Sequence, residues 1–283
     1  MENNEIMDKV KCNICHWNCA LSEGSRGFCG VRGNVGGKIV NVNYGFLSAA
    51  CLDPIEKKPF SRFMPGTKIL SIGANGCNMR CPHCQNYNIS MAAQEEIDMM
   101  DTNPEEVVDT AIAYKQAGNI GLAFTYNEPV TMYDFMMDTA KLSKEKGLIN
   151  VMVTNGCINE EPLRALLPYF DAMNIDLKYF NEEGYKKIAG DLNTVKRAIE
   201  VASEACHVEV CWLVVPGEND SAEEVEEAAE WLASVDPEIV LHINRFFPTY
   251  KVLDRPATNI DLLYSLADTA KKHLKNVVVG NVD

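Results

Sequence analysis

Seven of the eleven cysteines in this chain fall into two tight groups, Cys77/Cys81/Cys84 and Cys12/Cys15/Cys19/Cys29. The first has C-x3-C-x2-C spacing within Ser71-Ile72-Gly73-Ala74-Asn75-Gly76-Cys77-Asn78-Met79-Arg80-Cys81-Pro82-His83-Cys84. Thiolates suit iron–sulfur clusters, and a cubane ordinarily takes four of them. Three from a single loop leave one iron open, and an open coordination position separates a reactive centre from a closed structural one. Chance would give this spacing only about 0.02 times in a chain of this cysteine content, so accident is a weak competitor. Zinc with His83 as fourth ligand is the structural alternative; the loop's place directly after a predicted strand argues for the reactive reading.

The second group is spaced C-x2-C-x3-C-x9-C. Four thiolates can close a tetrahedral zinc site or saturate an auxiliary [4Fe–4S] cluster, and both readings stand at this level. Cys51, Cys157, Cys206 and Cys211 are scattered; they read as buried apolar fillers, except Cys211, which shares the predicted lumen face with Glu209. With no basic and apolar leader in Met1–Glu5, so many cysteines point to metal ligation or catalysis rather than disulfides, and the chain reads as cytoplasmic. The formal net charge of −14 argues against nucleic acid and anionic membrane as partners.

The elements that must position these cysteines follow a regular pattern. Strands are predicted at Lys68–Gly73, Gly121–Thr125, Asn150–Thr154, Ala172–Lys178, Val208–Val215, Val240–Arg245 and Val277–Val279. Helical patterns lie between them at Pro104–Gln116, Asn127–Lys146, Glu161–Leu167, Asn181–Ala202, Ala222–Ser234 and Ile260–Leu274. Such alternation implies parallel strands with right-handed crossovers, and six or seven units fit an incomplete (β/α) barrel. Asn174 and Asp176 share one strand face, as do Glu209 and Cys211, and His242 and Asn244. A polar face on three strands predicts a lumen holding a polar ligand. Residues 1–65, rich in cysteine and glycine with a β-like run at Lys38–Tyr44, read as a small module with a hairpin. It joins a barrel of residues 66–283 through Asp53–Pro59.

A three-cysteine loop after the first strand of such a barrel resembles the radical S-adenosylmethionine (SAM) superfamily. Within it, the chain is similar to the branch related to pyruvate formate-lyase activating enzyme, and specifically to AmmeMemoRadiSam-system radical SAM proteins. The resemblance runs from about Cys12 to Val282. It is carried by Gly27-Phe28-Cys29-Gly30-Val31-Arg32, Leu52–Pro59, the cluster loop through Asn86, Thr125-Tyr126-Asn127-Glu128-Pro129, Thr154-Asn155-Gly156, Asp176-Leu177-Lys178, Pro216–Asp220 and Arg245-Phe246-Phe247-Pro248.

The resemblance implies an α/β fold of (β/α)6 type, a [4Fe–4S] cluster on Cys77, Cys81 and Cys84, and SAM on the open iron. Reductive cleavage of SAM then yields a 5′-deoxyadenosyl radical that abstracts hydrogen from a small-molecule or protein substrate. Asn127 and Glu128 would meet the cofactor's ammonium, Lys178 its carboxylate, and His242 its nucleoside. Thr154, Asn155, Asn174 and Asp176 resemble cofactor-site positions, Thr154, Asn174 and Asp176 being those that hold a monovalent cation in the activating enzymes. A low-potential flavodoxin or ferredoxin would supply the electron. A glycyl-radical-enzyme activase is the alternative, and a passive electron carrier the last. Three departures weigh against the activase: Tyr126-Asn127-Glu128 stands where usual activases carry Gly-Gly-Glu, Lys68–Gly76 offers no Gly-x-Arg run before the cluster cysteines, and the extra cysteine module precedes the cluster loop.

Overall fold

A computed structural model describes residues 9–282 of the chain. Its main sheet has eight strands: β1 (Ala49–Pro54), β2 (Lys68–Gly73), β3 (Asn119–Phe124), β4 (Ile149–Thr154), β5 (Ala172–Asp176), β6 (His207–Val214), β7 (Val240–Arg245) and β8 (Asn276–Gly280). Spatial order follows chain order, β2 to β8 are all parallel, and β1 pairs antiparallel with β2. The helices Pro104–Ala113, Tyr133–Glu145, Glu160–Leu166, Leu192–Ser203, Ala222–Val235 and Ile260–Ala270 occupy the six crossovers. This is the incomplete barrel that the alternation predicts.

Local chemistry starts these helices where the sequence does. Asn103 caps Glu106 N, with Pro104 at the first helical position, and Asp191, Ser221 and Asn259 cap their helices in the same manner. Each cap satisfies a backbone N–H that the helix itself leaves free, contributing about 1 kcal/mol. The predicted helix over Asn181–Ala202 is instead two helices, Glu182–Lys187 and Leu192–Ser203. They separate where Ala189 adopts φ +58° beside Gly190. A left-handed residue ends a right-handed helix.

Alternating strand residues divide between two cores. Leu70, Leu122, Met152, Met173 and Val210 pack with helix residues such as Val107, Phe135, Leu163, Val195 and Val225. Their strand neighbours Ile69, Ala123, Val151 and Ala172 form a separate cluster with Ile55 and Phe60. The small side chains of Ala123 and Ala172 leave room inside the barrel, and Ile55 and Phe60 fill its floor. Burying one such side chain stabilises by roughly 2 kcal/mol.

The segment that carries Ile55 and Phe60 was expected to be a joiner. It is part of the barrel instead. The sheet begins at Ala49, inside the stretch assigned to the N-terminal module, because β1 satisfies the open edge of β2 over six residue pairs from Ala49↔Gly73 to Pro54↔Lys68. Ahead of it, Val10–Lys11 pairs with Ala20–Leu21, and Arg32–Val35 pairs with Lys38–Asn41 in the predicted hairpin. Among the described residues no helix is long and apolar enough to cross a membrane.

Candidate active site

The cluster loop leaves the C-terminal end of β2, the end at which barrel strands present chemistry. Cys77, Cys81 and Cys84 all line one cavity of about 710 Å³, together with Glu128, Thr154, Asn155, Asp176, Lys178 and His242. That volume suits a small-molecule site. The sequence-predicted residues therefore come together from neighbouring strands: Glu128 after β3, Thr154 closing β4, Asp176 closing β5, and His242 from the middle of β7.

Asn127 acts as the latch of the cluster loop. Its Oδ1 accepts from Ala74 N at 2.9 Å, while its Nδ2 donates to the carbonyls of Asn75 and Gly76 at 3.0 and 3.1 Å. The side chain thus substitutes for backbone partners that the loop lacks. Glu128, buried next to it, accepts from Val130 N (3.1 Å), Thr154 Oγ1 (2.7 Å) and Asn155 N (2.7 Å). Burial nevertheless pushes its carboxyl up to about 7, against the pull of those three donors.

Asn155 reaches the cluster loop itself. Its Nδ2 donates to Asn78 Oδ1 at 2.8 Å and lies 3.7 Å from Cys77 Sγ, which also accepts from Met79 N at 3.3 Å. Amide donors aimed at a sulfur favour its thiolate form. Without a metal, burial raises the Cys77 thiol, with Glu128 adding to the effect, and pushes Cys81 up to about 11. A bound cation reverses that balance, since a coordinating thiol gives up its proton. The donor set fits a three-thiolate cluster.

Lys178 Nζ sits 2.9 Å from Asp176 Oδ2. Burial works against the ammonium, but Asp176 and the Cys81 sulfur overcome it, so Lys178 stays charged. His83 is buried and held down to about 4, first by burial and then by Lys178 and Arg255, and so is neutral. His242 lines the cavity, while its Nε2 lies 2.5 Å from Glu209 Oε2.

Two polar lumen residues serve the floor rather than the cavity. Glu209 accepts from Ser61 N, Arg62 N and Ser61 Oγ at 2.9–3.1 Å, with His207 at 3.0 Å on the same carboxylate. Asn174 Nδ2 donates to Pro59 O at 2.6 Å. The polar faces of β5 and β6 are thus partly spent on pinning residues 59–62, whose Phe60 plugs the barrel. Thr154 and Asp176 are likewise engaged, by Glu128 and Lys178. Of the scattered cysteines, Cys157 and Cys211 are buried and Cys206 partly so, but Cys51 is exposed, since it lies on the outermost strand β1.

Sequence reasoning missed Tyr126 as a site residue. It lines the cavity with φ +73°, its hydroxyl donates to Asp53 Oδ2 at 2.7 Å, and Lys58 Nζ, 2.7 Å from the same oxygen, lies 4.8 Å over its ring. A bulky residue in the left-handed region costs on the order of 1–3 kcal/mol and persists only where its surroundings hold it. The one signal available was the replacement of a Gly-Gly pair by Tyr126-Asn127.

The four N-terminal cysteines line a second, small cavity with Trp17, Phe28 and Asn78. Burial pushes Cys15 up to about 12 and raises Cys29 as well. Among the described residues, no three His, Cys, Asp or Glu side chains gather closely enough to hold a single ion, in this group or in the cluster loop.

Comparison with known proteins agrees with this geometry. The family model of the radical SAM superfamily matches residues 71–232. An uncharacterized protein of Methanocaldococcus jannaschii, MJ0808, is 41% identical over 285 residues, covering 97% of this chain and 82% of that protein. The pyruvate formate-lyase-activating enzyme of Clostridium pasteurianum is 25% identical, covering 56% of this chain and 67% of that one. In fold, the chain is similar to Streptococcus suis SuiB bound to S-adenosylmethionine, with a TM-score of 0.60 at 12% identity, over 75% of this chain and 52% of that chain. Its cluster loop, its strand order and a family match over more than half its length agree, and the chain belongs to the radical SAM superfamily.

Proposed function

We propose that Cys77, Cys81 and Cys84 hold a [4Fe–4S] cluster, that SAM binds in the adjoining cavity, and that the enzyme abstracts hydrogen from a substrate at the cavity's open side. The observation that carries this reading is the set of three thiols from one loop facing a polar cavity at the C-terminal ends of parallel strands. When bound, the cluster and SAM together supply an electron and a 5′-deoxyadenosyl radical, chemistry that is the cofactors' own.

The chain's residues bind, orient and exclude water. Glu128 keeps lone pairs beyond its three bonds and takes the cofactor's ammonium. Lys178, kept charged by Asp176, takes the carboxylate. Asn127 and Asn155 fix the loop that carries Cys77, and His242, held by Glu209, faces the nucleoside. Thr154 orders Glu128, and no cation is needed for that role. A flavodoxin or ferredoxin class protein supplies the low-potential electron.

Activation of a glycyl-radical enzyme is the second reading, favoured by the similarity to a protein named as such an activating enzyme. Tyr126 speaks against it, since it narrows the cavity wall where usual activases carry glycine. Anaerobic reconstitution tests the main reading. Cys81→Ala should lower bound iron and sulfide by about four each per chain and abolish the SAM-sensitive cubane EPR signal. Unchanged iron content would overturn it.

A further inference from the structure

We infer that Cys12, Cys15, Cys19 and Cys29 hold an auxiliary [4Fe–4S] cluster that relays electrons to the cluster of the barrel. The inference rests on the reading of the barrel site given above. Three ligands within eight residues and a fourth further on is the ferredoxin manner of binding a cluster. Structural zinc sites more often take their thiolates as two separated pairs.

The fold gathers the four ligands. The Val10–Lys11/Ala20–Leu21 ladder ends with Cys12 N donating to Cys19 O at 2.8 Å, so the first and third ligands sit side by side. Gly27 packs against Cys19, its absent Cβ position lying 3.3 Å from Cys19 Sγ, which brings the Cys29 turn alongside. The four thiols surround one small cavity closed by Trp17 and Phe28, whose rings stack at 4.1 Å. They encircle it without gathering on a single point.

The position of this cavity gives the cluster its role. Its wall includes Asn78, the neighbour of Cys77 in the barrel loop. Trp17 Nε1 donates to Asn78 O at 2.9 Å. Arg80 spans both sites, donating to Phe28 O at 2.6 Å and to Cys77 O at 2.7 Å, with its guanidinium 4.2 Å over the Phe28 ring. At Gly76 (φ +84°) a Cβ would lie 2.7 Å from Cys29 O, so the two backbones touch. One loop thickness therefore separates the two thiolate sets.

Four protein thiolates leave no iron open for SAM or substrate, and electron transfer is the remaining task. Cys15, Cys19 and Cys29 are partly exposed and Trp17 is 38% exposed, so a donor protein can approach here without entering the SAM cavity. The step moves one electron and no proton. The reduced auxiliary cluster passes from the 1+ to the 2+ state as the barrel cluster passes from 2+ to 1+. A low-potential one-electron donor protein then restores the auxiliary cluster.

Metal analysis of the anaerobically reconstituted wild-type chain should find about eight irons and eight sulfides. About four irons with one zinc would overturn the cluster assignment. Cys81→Ala should retain four irons and the auxiliary EPR signal; iron unchanged from wild type would instead count against the barrel site. For the relay, wild-type protein mixed with reduced flavodoxin and freeze-quenched should show the auxiliary signal before the barrel signal, and the reverse order would overturn it. Cys29→Ser should lower the ratio of flavodoxin-driven to dithionite-driven 5′-deoxyadenosine formation at least about tenfold. An unchanged ratio would likewise overturn the relay.

Discussion

Glu128 joins two demands that oppose each other. Burial raises its carboxyl to about 7, while a cofactor ammonium needs the carboxylate. In the cofactor-free protein this group is a neutral acid below pH 7, so SAM binding should weaken by up to about tenfold per pH unit below that point. Dissociation constants of SAM on the oxidised, cluster-loaded protein between pH 6 and 8 check this. Glu128→Gln should bind weakly with a flat profile, and a flat wild-type profile would contradict the assignment. The stability sign runs the other way. The folded value lies above the ordinary 4.5, so the group's contribution to the cofactor-free fold is fully present below 4.5 and is lost as pH rises through about 7.

At the scale of elements, the segment from β1 to β2 does more than connect. Ile55 and Phe60 fill the barrel floor, and Glu209 holds residues 61 and 62 by their N–H groups. Burial opposes the Glu209 charge, but His207, His242 and the two N–H groups hold its carboxyl well below the usual carboxylate range. Its contribution is therefore present above the ordinary carboxylate value and is lost only as pH falls through the depressed one. Glu209→Gln should destabilise the fold by about 1–3 kcal/mol, seen as a lower denaturation midpoint at neutral pH; an unshifted midpoint would contradict the plug. Tyr126 belongs to this scale too. Tyr126→Phe removes the bond to Asp53 that holds a left-handed turn, and it should raise KM for SAM more than it lowers kcat, because Asn127 and Glu128 follow directly. A fall in kcat alone would place Tyr126 at the substrate instead.

Much of this architecture was legible from the chain. β2 and β7 lie at the limits that alternation indicates, and the cysteine spacing marked the loop that faces the cavity. What was not legible has a physical cause. Alternation puts Asn174 and Glu209 each on the polar face of its own strand, but does not show that they pair across β5 and β6 or that a loop over a hundred residues away covers them. Nor does local sequence signal that Tyr126 accepts φ +73°, since the compensating Asp53 and Lys58 come from another element.

On the scale of the whole molecule, the chain is a one-ended device. Thiols, carboxylate and ammonium all gather at the C-terminal mouth of the barrel, the floor is plugged, and the N-terminal module packs on the outer side of the cluster loop. The net charge of −14 disfavours broad electrostatic attraction of anionic partners. The most direct test of the account is formation of 5′-deoxyadenosine and methionine from SAM by anaerobically reconstituted, dithionite-reduced protein. The account predicts that both products form, and that Cys81→Ala forms neither. A fully cluster-loaded, reduced wild-type protein that leaves SAM intact would contradict it.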